Sequence, residues 1–478
     1  MKIPDHKTKI VCTIGPASES PEVMRQLIEA GMDVARLNFS HGEFASHQRV
    51  VERLRATAAA AGRRVAIMAD LPGPKMRVGT IAPEPVELRP DEPFVLTTEQ
   101  IVGDRRRVSV TFARLPQVVK PGDTLFLNDG QIQLEVVKAH GTEVECTVRV
   151  GGELRSRKGL NLPGIDLGIS AFTERDRECL AFALSCGVDA VSQSFVDSAA
   201  DLQAVRRAAA DLGHHPFVIA KIERSGALDR IEEILEASDG IMIARGDLGV
   251  EVPIERIALV QKRLMRLANQ RAKPVITATQ MLESMTASRI PTRAEATDVA
   301  NAILDGTDCV MLSAESAVGK YPVDATRMLA RIAAATETQR PVSTVRELFR
   351  GVDLTGRIRP AHLVAVGVEA SLEYVLPAVV LVPTRSGATA RNIARFRFPV
   401  WTVAVSPLEA TCRQLQFSAG VFPVHETDFP ERWNGYARRL VSELGLAGDL
   451  VILTEGPSPE HPEANHRMEI IDLARAEH

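Results

Sequence analysis

Lys221, Glu223 and Asp247 are the residues of this chain whose types and spacing point most directly to chemistry. Lys221 and Glu223 stand two apart at the end of an apolar run, so an extended backbone turns both side chains the same way. Asp247 follows the next apolar run. Neighbouring strands lie about 4.8 Å apart, so two carboxylates converge beside one ammonium. Two carboxylates that leave other positions open to water and substrate suit Mg²⁺, whereas a plain buried Lys–Glu ion pair needs one acid fewer. The run Ala244-Arg245-Gly246-Asp247-Leu248-Gly249 adds an anion-facing element. Gly246 allows close backbone approach, and N–H groups at a helix start attract negative charge. Thr279, after a further apolar run, brings a hydroxyl to the same mouth. A carboxylate or phosphate substrate bridging N–H groups and metal is the chemistry this set implies.

These side chains meet only if the ends of several strands are gathered together. Eight β-branched or apolar runs alternate with amphipathic stretches: 9–14, 33–38, 64–69, 190–195, 217–222, 240–244, 274–278 and 308–312. The helical stretches between them include 20–30, 44–61, 199–212, 256–270 and 293–304. Near-continuous apolar strands alternating with helices form a parallel sheet covered on both faces. Eight such units fit a (β/α)₈ TIM barrel, whose chemistry sits at the C-terminal strand ends. Those ends are polar here: Arg36, Asn38 and Ser40; Asp70; Ser194; Lys221 and Glu223; Arg245 and Asp247; Thr279; Ser313 and Glu315. A single Ser or Thr at such a place is a helix cap; polar groups at nearly every end are costly to bury without a function.

The alternation breaks after Asp70. Short alternating strands with Pro and Gly turns take over until about Ser170 and read as an inserted all-β lid on the catalytic face. After a long helix, 322–339, alternation returns as a C-terminal α/β domain. Its expected helices are 361–374, 388–396 and 433–444, its strands 378–382, 400–405 and 450–453, and 455–465 reads as an exposed loop. The fold class is therefore α/β, with a barrel from 1–70 and 171–340, a lid at 71–170 and a C-terminal domain at 341–478.

Composition limits the rest. Of 478 residues, 45% are hydrophobic and 25% charged, which excludes a disordered chain or a disulfide-stapled miniature. Lys plus Arg is 57 and Asp plus Glu is 61, a net charge of −4, and aromatic residues are only 4%. Neither a nucleic-acid binder nor a membrane-surface protein is expected from that balance. Six scattered cysteines lack zinc spacing and read as reduced thiols. The polar start Met1–Lys9 and the lack of a long apolar run lead to the expectation of a cytoplasmic location.

Five segments carry a closer resemblance: Val34–Gly42 (VARLNFSHG), Ala220–Glu223 (AKIE), Ile243–Glu251 (IARGDLGVE), Pro274–Met285 (PVITATQMLESM) and Met311–Ser316 (MLSAES). In this order they are similar to the signatures of the pyruvate kinases, and the similarity extends over essentially the whole chain. The resemblance implies phosphoryl transfer from phosphoenolpyruvate to ADP, giving pyruvate and ATP in glycolysis. It implies Glu223 and Asp247 as ligands of Mg²⁺, with Mn²⁺ as an alternative. Lys221, Arg36, Thr279 and Arg77 take catalytic roles: Lys221 neutralises the phosphoryl group and enolate, and Thr279 takes part in proton delivery. Substrate is held by Arg36, Lys221, Ala244, Arg245, Gly246, Asp247 and Thr279, and nucleotide by Arg36, Asn38, His41, Arg77 and Lys158. Ser194, Ser313 and Glu315 orient these groups. Val318 stands where many relatives place a nucleotide-contacting Lys. A homotetramer is also implied.

One departure matters. The family's monovalent-cation site corresponds to Asn38, Ser40, Asp70 and Leu71, but Leu71, Pro72, Lys75 and Val78 replace the Thr, Lys, Glu and Thr of the potassium-dependent pattern. Lys75 is expected to act as an internal cation, so that K⁺ is not required, as in the potassium-independent branch. In the C-terminal domain, Thr384, Arg385, Ser386, Gly387 and Thr389 resemble the family's allosteric phosphate loop and are expected to bind a phosphorylated effector. Two rival readings are a metal-dependent aldolase acting through the pyruvate enolate and a catalytically dead metabolite sensor. The aldolase lacks the lid and the nucleotide contacts Arg36, Arg77 and Lys158. The intact set Lys221, Glu223, Asp247 and Thr279 speaks against the sensor.

Overall fold

The structure is a computed structural model that describes residues 3–340, 360–457 and 465–475. Eight parallel strands close into a barrel: β1 (Lys9–Thr13), β2 (Met32–Asn38), β3 (Ala66–Leu71), β4 (Ala190–Gln193), β5 (Phe217–Ile222), β6 (Gly240–Ala244), β7 (Val275–Ala278) and β8 (Cys309–Leu312). Each pairs with its chain neighbour, and β8 closes on β1 through Lys9↔Cys309. Ends differ from the sequence expectation by one or two residues, as fraying strand ends do.

Period-two alternation sorts the strands into two faces. Ile67, Ala69 and Leu71 of β3 face the surrounding helices, while Ala66 and Met68 fill the barrel interior with Val11, Val34, Ala190, Phe217, Ile219 and Met242. Continuing the inward series upward by two residues puts Thr13, Arg36, Asp70, Ser192 and Lys221 in one top layer. The fold thus turns an apolar plug into a polar floor within one step along each strand. At the opposite end, Phe417 of the C-terminal domain enters the same interior cluster and stacks on Phe217 with centroids 5.5 Å apart.

Between β3 and β4 lies the β-rich insertion. It contains a six-stranded sheet and a two-stranded ribbon around a separate core that includes Phe94, Leu96, Leu125, Leu134 and Val144. The chain then re-enters the barrel through a helix, Glu174–Ser185, started by a Thr173/Asp176 capping box.

The C-terminal domain is a five-stranded sheet in the order Val421–His425, Thr402–Ser406, Val379–Pro383, Leu450–Glu455, Arg467–Asp472, the last strand antiparallel. Three of these strands match the sequence expectation; the two edge strands do not figure in it. Of the expected loop 455–465, residues 458–464 lie outside the described residues. Arg397 pairs both guanidinium nitrogens with Asp308, just before β8, at 2.6 Å each, which ties this domain to the barrel. Among the described residues, no helix is long and apolar enough to cross a membrane.

Candidate active site

The polar floor is held by buried charge. Asp70 is 1% exposed and accepts hydrogen bonds from Arg36 Nε at 2.9 Å, Arg36 Nη2 at 2.5 Å and Ser192 Oγ at 2.6 Å. The strand register places Asp70 opposite Ser192, which makes that last contact local. Burial alone would raise the Asp70 pKa, but Lys221 and Arg36 outweigh it and hold the carboxyl at about 2. Arg36 also donates to Thr13 Oγ1 at 2.9 Å.

Lys221 Nζ lies 2.8 Å from Glu223 Oε1, 2.7 Å from Ser194 Oγ and 3.4 Å from Asp70 Oδ2. Burial lowers its pKa, yet Asp70 and Glu223 prevail and raise it, so the ammonium stays charged. Ser194 Oγ in turn donates a hydrogen bond to Leu71 O at 2.7 Å. Glu223 Oε2 accepts the N–H of Phe195 at 2.7 Å, and Phe195 holds a left-handed φ of 59°. That backbone strain is of the kind stored at functional sites. Asp247 lies in the first turn of the short helix Arg245–Glu251 after β6. Burial first, then the repulsion of Glu223, pushes its carboxyl up to about 6. Two crowded carboxylates that repel each other are a donor set a divalent cation would relieve, and Mg²⁺ fits a pair that leaves room for water and substrate.

Thr279 follows β7 at φ 70° and Gln280 at φ 54°, a left-handed pair that costs a β-branched residue some strain. Thr279 Oγ1 accepts the Gly246 N–H at 2.8 Å, leaving its own hydroxyl hydrogen free to donate elsewhere. This changes the expected nest, because one of its N–H groups is already engaged. The Arg245 guanidinium also turns away from the mouth, to Asp298 at 2.7 Å and Thr279 O at 2.8 Å. Only the backbone of Arg245 remains beside the expected substrate position. Ala244 is buried at the end of β6. Glu315 is 1% exposed and accepts N–H bonds from Ser313 at 2.7 Å and Leu282 at 3.1 Å; burial raises its pKa.

Similarity to known proteins gives the family. The family model described as "Pyruvate kinase, barrel domain" matches residues 5–326, and that described as "Pyruvate kinase, alpha/beta domain" matches residues 364–471. The chain belongs to the pyruvate kinase family. The pyruvate kinase of Thermococcus litoralis is 49% identical over 464 residues, covering 95% of this chain and 96% of the relative. That of Thermotoga maritima is 40% identical over 458 residues, covering 94% and 96%. A crystal structure of a pyruvate kinase from Cryptosporidium parvum superposes with a TM-score of 0.91 at 33% identity, covering 98% of this chain and 96% of that one. A pyruvate kinase is a phosphotransferase, and the cations around the mouth suit one.

Further out, the pyruvate kinase resemblance named Asn38, Ser40, His41, Lys75, Arg77 and Lys158. Asn38 Oδ1 accepts the Ser40 N–H at 3.1 Å. His41 is lowered in pKa by desolvation and then by Lys75, Arg77 and Arg36, so those three cations surround one point. Arg77 donates to Arg157 O at 2.8 Å, and Lys158 lies on the opposing backbone, its carbonyl accepting the Val78 N–H at 2.9 Å. Lys75, expected as an internal cation, acts on Asp70 and Glu223 through space rather than by direct contact. It is exposed, and among the described residues no ion pair joins it to an acid; Arg36 and Lys221 occupy Asp70 instead. Desolvation, Lys221 and Arg77 lower the Lys75 pKa, with Asp70 and Glu223 acting against them. Val318 is 65% exposed.

In the C-terminal loop, Thr384 Oγ1 accepts the Gly387 N–H at 2.9 Å and Ser386 Oγ that of Ala388 at 3.4 Å, with Gly387 at φ 76°. Thr411 Oγ1 holds Arg385 O at 2.5 Å, and Thr389 opens the helix Ala388–Ala394. The sequence reading missed Thr13, Ser192 and Asp298. The first two extend the inward series of β1 and β4, a signal that was present; Asp298 lies in a helix with nothing local to mark it.

Proposed function

We propose that the protein transfers the phosphoryl group of phosphoenolpyruvate to ADP, giving pyruvate and ATP, as a glycolytic enzyme of the cytoplasm. The observation that carries this reading is the Lys221 ammonium placed 3.4 Å from Asp70 and 2.8 Å from Glu223, with Asp247 close enough to act on both. Phosphoryl transfer passes through a loose transition state with charge on the equatorial oxygens, so catalysis is mostly positioning and positive charge. Glu223 and Asp247 are the residues that would hold Mg²⁺, which when bound supplies charge neutralisation to the phosphoryl group and the substrate's oxygens. Lys221 compensates the same oxygens and the enolate left after transfer. Arg36, fixed by Asp70 and Thr13, reaches the phosphoryl group from the floor. Arg77 and Lys158, with Asn38 and His41, meet the nucleotide from the lid side. Thr279, its oxygen already accepting from Gly246, would relay a proton to the enolate carbon, taking one from solvent water as it gives its own so that the hydroxyl is restored, and Ser313 and Glu315 steady that end of the barrel. The lid keeps water from competing with ADP.

The deciding experiment measures pyruvate formed from phosphoenolpyruvate and ADP with Mg²⁺. No pyruvate would overturn the reading, and pyruvate released from an aldol donor without nucleotide would favour the rival aldolase.

Three finer points belong to the same proposal. No K⁺ is required, because Arg36 and Lys221 already compensate Asp70 and the Lys75 charge acts on the same group. A large fall in rate on omitting K⁺ and NH₄⁺ would refute this, and Lys75→Glu is expected to create a K⁺ requirement. A phosphorylated metabolite acts at Thr384–Thr389. The assembly is a homotetramer: Ile254, Leu259 and Ile290 on the barrel, and Leu363, Tyr374, Leu376 and Ile470 in the C-terminal domain, are exposed apolar residues. Two separate self-complementary faces close into a tetramer. A solution mass other than that of four chains would count against it.

A further inference from the structure

The lid is joined to the barrel by two chain crossings, and one buried carboxylate touches both. Asp176 is fully buried; its Oδ1 accepts the Gly73 N–H at 2.8 Å on the outgoing crossing. Its Oδ2 accepts the Thr173 N–H at 2.8 Å and the Thr173 hydroxyl at 2.5 Å on the returning one. A capping-box acid needs only the contact to its own N-cap. The bond to Gly73, 103 residues away in sequence, is not part of helix capping.

Just beyond these roots the two crossings pair with each other. Val78 N donates to Lys158 O at 2.9 Å and Leu160 N to Met76 O at 3.0 Å, with Arg77 bridged to Gly159. The neck of the lid is therefore a short two-stranded ribbon that carries Arg77 and Lys158, and its base is fastened at Asp176. Gly73 sits so close to the barrel that a Cβ there would lie 2.8 Å from the Phe195 ring and 3.1 Å from Ser194 O. Ser194 and Phe195 are the residues that hold Lys221 and Glu223.

We propose that Asp176 is a positioning residue: by fixing both crossings to one point of the barrel, it sets where Arg77 and Lys158 stand relative to Lys221 and Glu223. This rests on the nucleotide reading of Arg77 and Lys158 given above. The reason for a carboxylate is geometric. Two oxygens accept from two chain segments that share no other side-chain partner in the bonds described; Asp201 and Gln193 also hold the returning crossing at Ala171, so losing the Gly73 bond loosens the neck chiefly on its outgoing side. A mispositioned neck weakens the groups that come from the lid and spares those built on the barrel.

Asp176→Asn tests this, since the carboxamide keeps one acceptor and presents its NH₂ to the other crossing's N–H. Thr173→Val, which removes the hydroxyl that donates to Asp176 Oδ2 and accepts the Asp176 N–H but leaves the Gly73 bond in place, provides a second variant. For both, the KM for ADP is expected to rise, about fivefold for Asp176→Asn, with kcat falling alongside and the KM for phosphoenolpyruvate within about twofold. Distances between spin labels on lid and barrel are expected to broaden in the same variants, a readout independent of turnover. A lowered melting temperature with both KM values and the label distances unchanged would reduce Asp176 to a helix cap and overturn the proposal. Equal rises in both KM values would overturn it as well. If the unaltered protein forms no pyruvate, the function reading fails by itself, and the label distances still decide the role of Asp176.

Discussion

In the barrel mouth, Asp70, Lys221, Glu223 and Arg36 compensate one another from three strands and the turn after β5, and every contact to Asp70 crosses between strands. In the C-terminal loop, Thr384 and Ser386 turn their hydroxyls on N–H groups two and three residues ahead, so each contact closes within the loop. The mouth is preorganised by the whole fold and holds more charge than its own pairs consume. The hydroxyls of the loop are engaged by its own N–H groups and must exchange those internal bonds for a ligand. The first arrangement is rigid and costly to disturb; the second is cheap to alter and suited to a response that comes and goes.

Removing one partner from the mouth should therefore be severe. Asp70→Asn leaves Arg36 and Lys221 buried without their shared anion, and breaking a buried pair in this way costs about 3–5 kcal/mol. Chemical denaturation should show the midpoint falling accordingly. A loss below about 1 kcal/mol would mean that the mouth is no more interlocked than an exposed ion pair. Lys221→Ala is expected to raise the barrier by about 3–4 kcal/mol, the range for a group that stabilises developing oxyanion charge. Single-turnover formation of pyruvate measures this, and near-normal turnover would remove Lys221 from the chemistry.

The same contrast explains what could be read from the sequence. Barrel strands such as 217–222 and 240–244 are legible because burial on both faces leaves uninterrupted apolar runs. Lys221 and Asp247 are legible because charge at the end of such a run has no structural excuse. The edge strands Val421–His425 and Arg467–Asp472 are less so. In Arg467–Asp472 only Ile471 is buried, and the run reads as a mixed surface segment until Leu450–Glu455 pairs with it. The lid strands Gly152–Leu154 and Leu160–Asn161 are too short to show a period. Side-chain direction is the other limit. Nothing in Ala244–Gly249 reveals that Arg245 turns toward Asp298, because the helix that supplies Asp298 is more than forty residues away in sequence. Lys75 shows a related limit: its sequence position marks a cation near the site, but not that Arg36 and Lys221 make the direct contacts to Asp70 while Lys75 acts from farther off.

Acid titration sharpens the comparison by a smaller effect. Asp70 titrates at about 2 in the folded protein and near 3.9 in an unfolded chain. A depressed carboxylate contributes stability that is complete above the unfolded value and is lost as pH falls through the folded one. About 2 kcal/mol should disappear between roughly pH 4 and pH 2, and the loss should be missing in Asp70→Asn. Parallel acid unfolding curves for the two proteins would show that Lys221 and Arg36 do not hold the carboxylate ionised.

The smallest expected change lies in the loop. Ser386 is exposed and the only described bond of its hydroxyl, to the Ala388 N–H, is a long 3.4 Å, so Ser386→Ala should shift stability by no more than about 0.5 kcal/mol. Rates without effector should also stay unchanged, because the hydroxyl touches nothing that leads to Lys221. If the loop receives phosphate, the same variant should lose activation by a panel of sugar phosphates and nucleoside monophosphates that stimulate the unaltered enzyme. The loop would then be an effector site whose occupancy costs little to reverse, opposite in design to the mouth. Unaltered activation in Ser386→Ala would show that this hydroxyl only caps the helix after it, and the contrast between the two regions would reduce to one of burial.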